Sequence, residues 1–316
     1  MSHTFLSLNG SYHASQLALK HNVASVIPSR NAESRLHRSL EGKLAIVTGA
    51  SRGIGAAISR TLASKSASIV INYVSDRSKD QAEGLANEFE SGYQVKCLAV
   101  QADVSKPEGV KTLIEATKAA FSTESGLRID MLINNAGVAR NDHIRDVKVD
   151  DFDWMYRINV LGPLLVVQAV EPYLPSDRSG RIVNLSSISS TEGFHGQTVY
   201  GGTKAALDSM TRTWARELSE RCTVNSINPG PVLTDMWTSM PPSHRNGLKD
   251  WMSHTPLAAA RKGIDHEELV EQAVDAGGRP AYTSEIAGIV GMLCSEESVW
   301  CTGQVICANG GMRMAI

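Results

Sequence analysis

Two spacings of apolar residues alternate along the chain. Short, mostly apolar runs at 44–47, 68–73, 93–101, 131–134, 181–185, 223–228 and 304–307 read as strands buried on both faces, as a parallel sheet requires. Between them lie longer stretches with apolar residues at helical spacing, over 56–66, 78–91, 106–122, 150–171, 200–219 and 284–294. Strand and helix in strict alternation predict an α/β fold. Its sheet is parallel and doubly wound, with helices on both faces and right-handed crossovers.

Two regions break the alternation. Residues 1–40 are rich in Ser, His and Asn and carry no acid before Glu33. They lack the apolar stretch of about 7–15 residues that a secretory signal needs. We read them as a disordered or loosely packed extension, with Lys20, Arg30, Arg35 and Arg38 giving a weak likeness to a mitochondrial transit peptide. Residues 41–316 then read as a single α/β domain. Within it, residues 234–280 depart from the compact pattern. A helical stretch runs through Trp251 to Ala260, and 262–277 reads as an insertion with a helical turn or two over 267–274. Met236, Trp237, Met240, Trp251 and Met252 would form either an apolar, adaptable lid or core beneath one.

Composition narrows the function classes. The chain has 316 residues, 42% of them hydrophobic, and a net charge of −2 with mixed signs. No basic face calls for nucleic acid or an anionic membrane. No apolar run approaches the roughly 18 residues of a membrane span. The five cysteines, Cys97, Cys222, Cys294, Cys301 and Cys307, form no Cys-x-x-Cys pair. Neither a disulfide framework nor a zinc site is suggested, and buried thiols in a reducing compartment are expected. The chain does not end in Ser-Lys-Leu. The expected location is cytoplasmic, with the mitochondrion as the alternative.

Candidate chemistry lies at the carboxyl ends of the strands. The first strand runs into Thr48-Gly-Ala-Ser-Arg-Gly-Ile-Gly55 and then a helix. Strand, glycine turn and helix in that order favour dinucleotide binding: glycine permits the tight turn, and helix N–H groups meet a pyrophosphate. The second strand ends at Tyr73 with no acid until Asp76. A carboxylate at that end would take the ribose hydroxyls of NAD. Here Arg52 stands in the turn, with Ser75 and Arg77 nearby, and a guanidinium suits a 2′-phosphate. Asp103-Val104 follows the third strand, where it could serve the adenine or merely cap a helix. Asn134-Asn-Ala-Gly137 follows the fourth, where small residues let a ligand lie close. Asn159 is an isolated polar residue between Ile158 and Val160 and must satisfy its amide internally. After the fifth strand come Ser186 and Ser187, and then Tyr200 and Lys204 stand four residues apart. On a helix that spacing shares one face. An ammonium beside a phenol favours the phenolate, so Lys204 is expected to lower the Tyr200 pKa. The pair alone is commonplace; the company it keeps gives it meaning.

Taken together, these stretches resemble the short-chain dehydrogenase/reductase family over about residues 41–316. The carrying motifs are Thr48–Gly55, Asn134–Gly137, Asn159, Ser187 thirteen residues before Tyr200, Tyr200-x-x-x-Lys204, and Pro229-Gly230 with Thr234. The resemblance implies a single Rossmann-type domain over 41–316 with about seven parallel strands and a catalytic tetrad of Asn159, Ser187, Tyr200 and Lys204. Tyr200 would donate the proton and Ser187 would bind the substrate oxygen. Lys204 would hold the nicotinamide ribose, and Asn159 would hold a relay water. Arg52 makes the chain similar to the NADP-preferring branch, so NADPH (NADP+) is the implied cofactor. Gly49, Ser51, Arg52, Gly53, Ile54, Gly55, Ser75, Asp103, Val104, Asn135, Ala136, Gly137, Tyr200, Lys204, Pro229, Gly230, Val232 and Thr234 are its implied contacts. The implied activity is reduction of a small-molecule ketone by a homodimer or homotetramer. The alternatives are a 3-oxoacyl-[acyl-carrier-protein] reductase, an NADP-linked alcohol or polyol dehydrogenase, and an NADP-sensing binding protein. Arg140, Arg145 and Arg178 are the scattered basic residues an acyl-carrier partner could use.

Overall fold

A computed structural model describes residues 38–314. The expected extension over 1–40 lies outside the described residues except at its end. There Leu40 is buried, and its N–H donates to the Lys65 carbonyl at 2.9 Å. The folded part therefore starts before residue 41.

Seven parallel strands form one sheet in the order β3-β2-β1-β4-β5-β6-β7. They are β1 (Leu44–Val47), β2 (Ser68–Tyr73), β3 (Cys97–Gln101), β4 (Met131–Asn134), β5 (Gly180–Leu185), β6 (Cys222–Pro229) and β7 (Val305–Ala308). Side chains alternate between the two faces, as the two-residue period of a strand requires. Ala45, Val47, Ile69, Ile71 and Ile133 join a core with helices α1 (Gly53–Ser64), α2 (Lys79–Tyr93) and α11 (Thr283–Leu293). Leu44, Ile46, Val70, Leu132 and Ile182 join the opposite core with α3 (Pro107–Phe121), α5 (Gly162–Val170) and α6 (Thr198–Glu217). Each Val, Leu or Ile among them contributes about 1.5–3 kcal/mol on full burial. The chain winds outward from β1 to β3, then crosses back to β4. The carboxyl ends of β1 and β4 thus diverge into a crevice at the switch point.

Several boundaries differ from expectation for local reasons. Helix α2 runs to Tyr93 and is closed by Gln94 in the left-handed region, φ +57°, so β3 starts at Cys97 and not at 93. Helix α1 begins at Gly53, inside the glycine turn, and stops at Ser64 ahead of a left-handed Ser66, φ +73°. The expected helix 150–171 is two α-helical pieces, α4 (Val149–Tyr156) and α5, joined by a π-turn over Arg157–Leu161. The region 234–280 holds four short helices: α7 (Asp235–Thr238), α8 (Pro242–Gly247), α9 (Lys249–Ser253) and α10 (Glu267–Ala276). Helix α10 is longer than the expected turn or two. Arg279 ties its end to the body through Asp265 at 3.0 Å and a forked pair with Glu285 at 2.8 and 2.9 Å.

The five cysteines are free, and burial pushes the Cys97, Cys222 and Cys294 thiols up to about 12. Among the described residues, no helix is long and apolar enough to cross a membrane. Nor is there a group of three or more His, Cys, Asp or Glu side chains that could hold a metal ion.

A buried polar line ties α6 to the sheet. Asn134 Nδ2 donates to Asn184 Oδ1 at 2.8 Å, and Asn184 Nδ2 donates to Thr211 Oγ1 at 2.8 Å. Ser226 Oγ donates to Asp208 Oδ1 at 2.7 Å. Three strands thus hold one helix in register. Replacing Asn184 strands the buried Asn134 amide N–H, at a cost of about 1–3 kcal/mol, while Thr211 Oγ1 keeps its bond to the Leu207 carbonyl at 2.9 Å. Asn184→Ala should lower the unfolding free energy in urea by about 1–3 kcal/mol with an unchanged denaturant slope. A loss below about 0.5 kcal/mol would show that the line does not hold α6.

Candidate active site

The glycine turn is the first wall of the site. Gly49 and Gly53 have φ of +60° and +59°, values that favour glycine. Gly49 and Gly55 are needed first for packing. A Cβ on Gly49 would lie 2.9 Å from Ala136 Cα, and one on Gly55 would lie 2.5 Å from Asn135 Nδ2. Asn135 Nδ2 donates to the Thr48 and Gly49 carbonyls at 2.8 and 2.9 Å, and Thr48 Oγ1 accepts from the N–H groups of Asn135 and Ala136, both at 3.0 Å. Asn72 Oδ1 accepts from the Gly49 N–H at 3.3 Å, and its Nδ2 donates to the Ala102 carbonyl at 2.9 Å. Sequence reasoning missed Thr48 and Asn72. Polar residues at the carboxyl ends of two buried strands were the available signal.

The N-terminus of α1 has no capping side chain and no acid in its first turn. It presents a positive dipole end to the cleft, suited to a pyrophosphate. Arg52 stands at the rim, and its Nε pairs with Asp235 Oδ2 at 3.0 Å, both side chains exposed. Ser75 Oγ lies 3.2 Å from Ser78 Oγ and lines the cleft. Arg77 does not line it, and Asp76 accepts from Gln101 Nε2 at 2.8 Å outside the lining. Asp103 Oδ1 accepts from the Ser105 N–H and hydroxyl at 3.1 and 2.7 Å. Its carboxyl is held below the usual range: burial opposes this, but the Ser105 and Lys106 hydrogen bonds prevail.

One cleft of about 490 Å³ joins these residues to the expected catalytic ones. Every implied cofactor contact, from Gly49 to Thr234, lines it, as does Ser187. Val232 is fixed by a parallel bridge to Ala281. Met236, Trp237 and Met240 cover the far end. Of the other two expected lid residues, Met252 is core, and Trp251 stacks edge-on against Phe194 with ring centroids 5.2 Å apart.

Asn159 is brought close but does not face the cleft. It sits in the π-turn, fully buried, with Oδ1 accepting from the Val138 N–H at 2.9 Å. Its Nδ2 donates to the Val138 carbonyl at 2.8 Å and to Thr203 Oγ1 at 3.1 Å. Both amide hydrogens are used, so the side chain pins the loop after β4 to α6. The Asn159 side chain is a positioning group.

Lys204 is buried, and its Nζ donates to the Leu185 carbonyl at 2.7 Å. The same Nζ lies 5.8 Å from the Tyr200 ring centroid. Burial lowers the ammonium to about 8, with the Asp208 carboxylate working in the opposite direction. Tyr200 differs from expectation. Burial raises its pKa, opposed by a hydrogen bond with Ser187. The phenol therefore keeps its proton at neutral pH. Ser187 Oγ accepts from the Ser189 N–H at 3.1 Å and lies 3.0 Å from Ser189 Oγ.

The comparisons agree with this geometry. The family model for short chain dehydrogenases matches residues 43–244. An L-xylulose reductase of Aspergillus niger is 49% identical over 299 residues, covering 88% of this chain and 99% of that protein. An L-xylo-3-hexulose reductase of Hypocrea jecorina is 47% identical, with the same two coverages. Among solved structures, a blue fluorescent protein from a metagenomic library, in complex with NADPH, superposes with a TM-score of 0.73 at 33% identity. That match covers 87% of this chain and 100% of that one.

The Lys204 environment makes a signed prediction. Its folded value, about 8, lies below its ordinary 10.5. The cost of burying the ammonium is therefore full below pH 8 and is relieved between pH 8 and 10.5, where the folded form releases its proton first. An NMR titration of the ligand-free protein should give a Lys204 midpoint near 8, and Asp208→Asn should move it lower. A midpoint at the ordinary lysine value would contradict the buried placement. With the sheet order, the shared cleft and these relatives in hand, the chain belongs to the short-chain dehydrogenase/reductase family and is an oxidoreductase acting on CH–OH or C=O groups.

Proposed function

We propose that the protein is an NADPH-dependent reductase of a polyhydroxy ketone. The observation that carries this is one continuous cleft with a phosphate cradle at one end and a protonated phenol beside Ser187 at the other. The ketose class rests on the two sugar-ketone reductases at 49% and 47% identity. The cradle fits a dinucleotide because the α1 N-terminus is uncapped and Gly53, Gly137 and Thr234 leave its floor low. Arg52 fits the 2′-phosphate. Its pair with Asp235 is exposed and contributes only about 0–1 kcal/mol. A charge-assisted bond to a phosphate, about 1.5–3 kcal/mol, would displace it.

When bound, the cofactor supplies the hydride. Ser187 donates to the substrate oxygen where negative charge develops. Tyr200 gives its proton to that oxygen, and its raised pKa keeps the acid form present at neutral pH. Lys204, cationic below about pH 8, holds positive charge beneath the site. The acyl-carrier alternative needs a free basic docking face. Arg140 is paired with Asp142 and Asp151, and Arg178 with Glu220.

The test follows nicotinamide oxidation with L-xylulose, using NADPH and NADH in parallel. NADPH should be preferred by at least about tenfold in kcat/KM, since 1.4 kcal/mol is tenfold. Arg52→Ala should reduce the preference toward parity. Equal use of the two cofactors by the wild type would overturn the cofactor assignment. Faster reduction of an acetoacetyl thioester than of L-xylulose would overturn the ketose assignment.

A further inference from the structure

The substrate end of the cleft holds few polar side chains. Phe194, Met236, Trp237, Met240 and Leu248 give it apolar walls. The polar groups there are Ser187, Ser189, Gln197 and Tyr200. Two of these are engaged with each other, Ser187 with Ser189 at 3.0 Å. Gln197 is different. Its Oε1 is buried from solvent and has no hydrogen-bond partner. Its backbone is committed, the N–H donating to the Phe194 carbonyl at 3.2 Å and the carbonyl accepting from the Gly201 N–H at 2.8 Å. The residue is the N-cap of α6, three positions before Tyr200. Residues three apart on a helix are neighbours on one face. Gln197 and Tyr200 both line the cleft.

We infer that Gln197 is a specificity-determining residue that binds a substrate hydroxyl within one or two carbons of the reduced carbonyl. This deepens the ketose reading above and rests on it. The chemistry follows from what a primary amide offers: two donors and an acceptor that accepts two bonds. A hydroxyl is both donor and acceptor, so it can satisfy either end of the amide. A methylene can satisfy neither. A buried amide facing methylenes stays unpaired, and a site built to bond a hydroxyl discriminates strongly against the analogue that lacks one. The apolar walls sharpen the choice, because they supply no competing partner. A hydroxy ketone completes the site, whereas an unsubstituted acyl chain leaves it unsatisfied.

The experiment compares L-xylulose with 2-pentanone, the same carbon skeleton without hydroxyls, in the wild type, Gln197→Leu and Gln197→Ala. NADPH binding by each variant reports that it is folded. The expected result is that both variants lose about tenfold more kcat/KM on L-xylulose than on 2-pentanone, the effect of one lost hydrogen bond at the reacting end. Gln197→Asn, which keeps a shorter amide, should recover part of the loss. Equal losses on the two ketones would overturn the inference and leave Gln197 a support for the loop. No loss on L-xylulose would overturn it while leaving the ketose reading intact. A wild type that prefers 2-pentanone would overturn both.

Discussion

The site depends on a cation that the fold buries. Lys204 has its ammonium under the carboxyl end of the sheet, where its one protein hydrogen bond among the described residues goes to the Leu185 carbonyl at 2.7 Å. Burying an unpaired charge is expensive, and proteins answer by shifting the pKa. Here the shift is down to about 8, limited by Asp208 one helical turn away. The position is tolerable only because α6 cannot slide. The Asn134–Asn184–Thr211 line and the Ser226–Asp208 bond fix it across β4, β5 and β6. Tyr200, one turn before Lys204, is thereby carried to the wall of the cleft. Asn159 locks the facing loop at Val138 onto the same helix through Thr203. The Asn159 side chain thus joins the cleft's two walls.

Much of this was legible in the sequence. All seven strands were, because strands buried on both faces are nearly continuous apolar runs bounded by helical segments. The glycine turn was legible because Gly49, Gly53 and Gly55 follow a strand and precede a helix. Tyr200 and Lys204 were legible from helical spacing, though only in the company of the other motifs. What was not legible depends on tertiary partners or on rare backbone states. Gln94 and Ser66 end helices in the left-handed region that glycine usually takes, so β3 was started too early. Nothing in Arg157–Leu161 marks a π-turn. The direction of the Tyr200 pKa was misjudged because sequence spacing carries proximity but not burial. Burial outweighs the neighbouring ammonium, which hydrogen-bonds elsewhere.

The two ends of the cleft use different physics. The cofactor end is built from backbone: an uncapped helix terminus, glycines packed on Asn135 and Ala136, and a rim arginine whose partner is cheaply displaced. The substrate end is built from side chains on α6 and on the short helices after β6. Asp235 belongs to both, as the first residue of α7 and the partner of Arg52. The part of the chain that pairs with Arg52 at the rim thus continues directly into Met236, Trp237 and Met240, which line the same cleft.

The central claim is that Tyr200 is the proton donor while the rest of the site binds without it. Measuring kcat and NADPH affinity separately in Tyr200→Phe tests it most directly, because the substitution removes one oxygen. General acid catalysis is worth about 10²–10⁴-fold, so kcat should fall by at least about a hundredfold while NADPH still binds. A variant that kept more than about a tenth of the wild-type kcat would contradict the account.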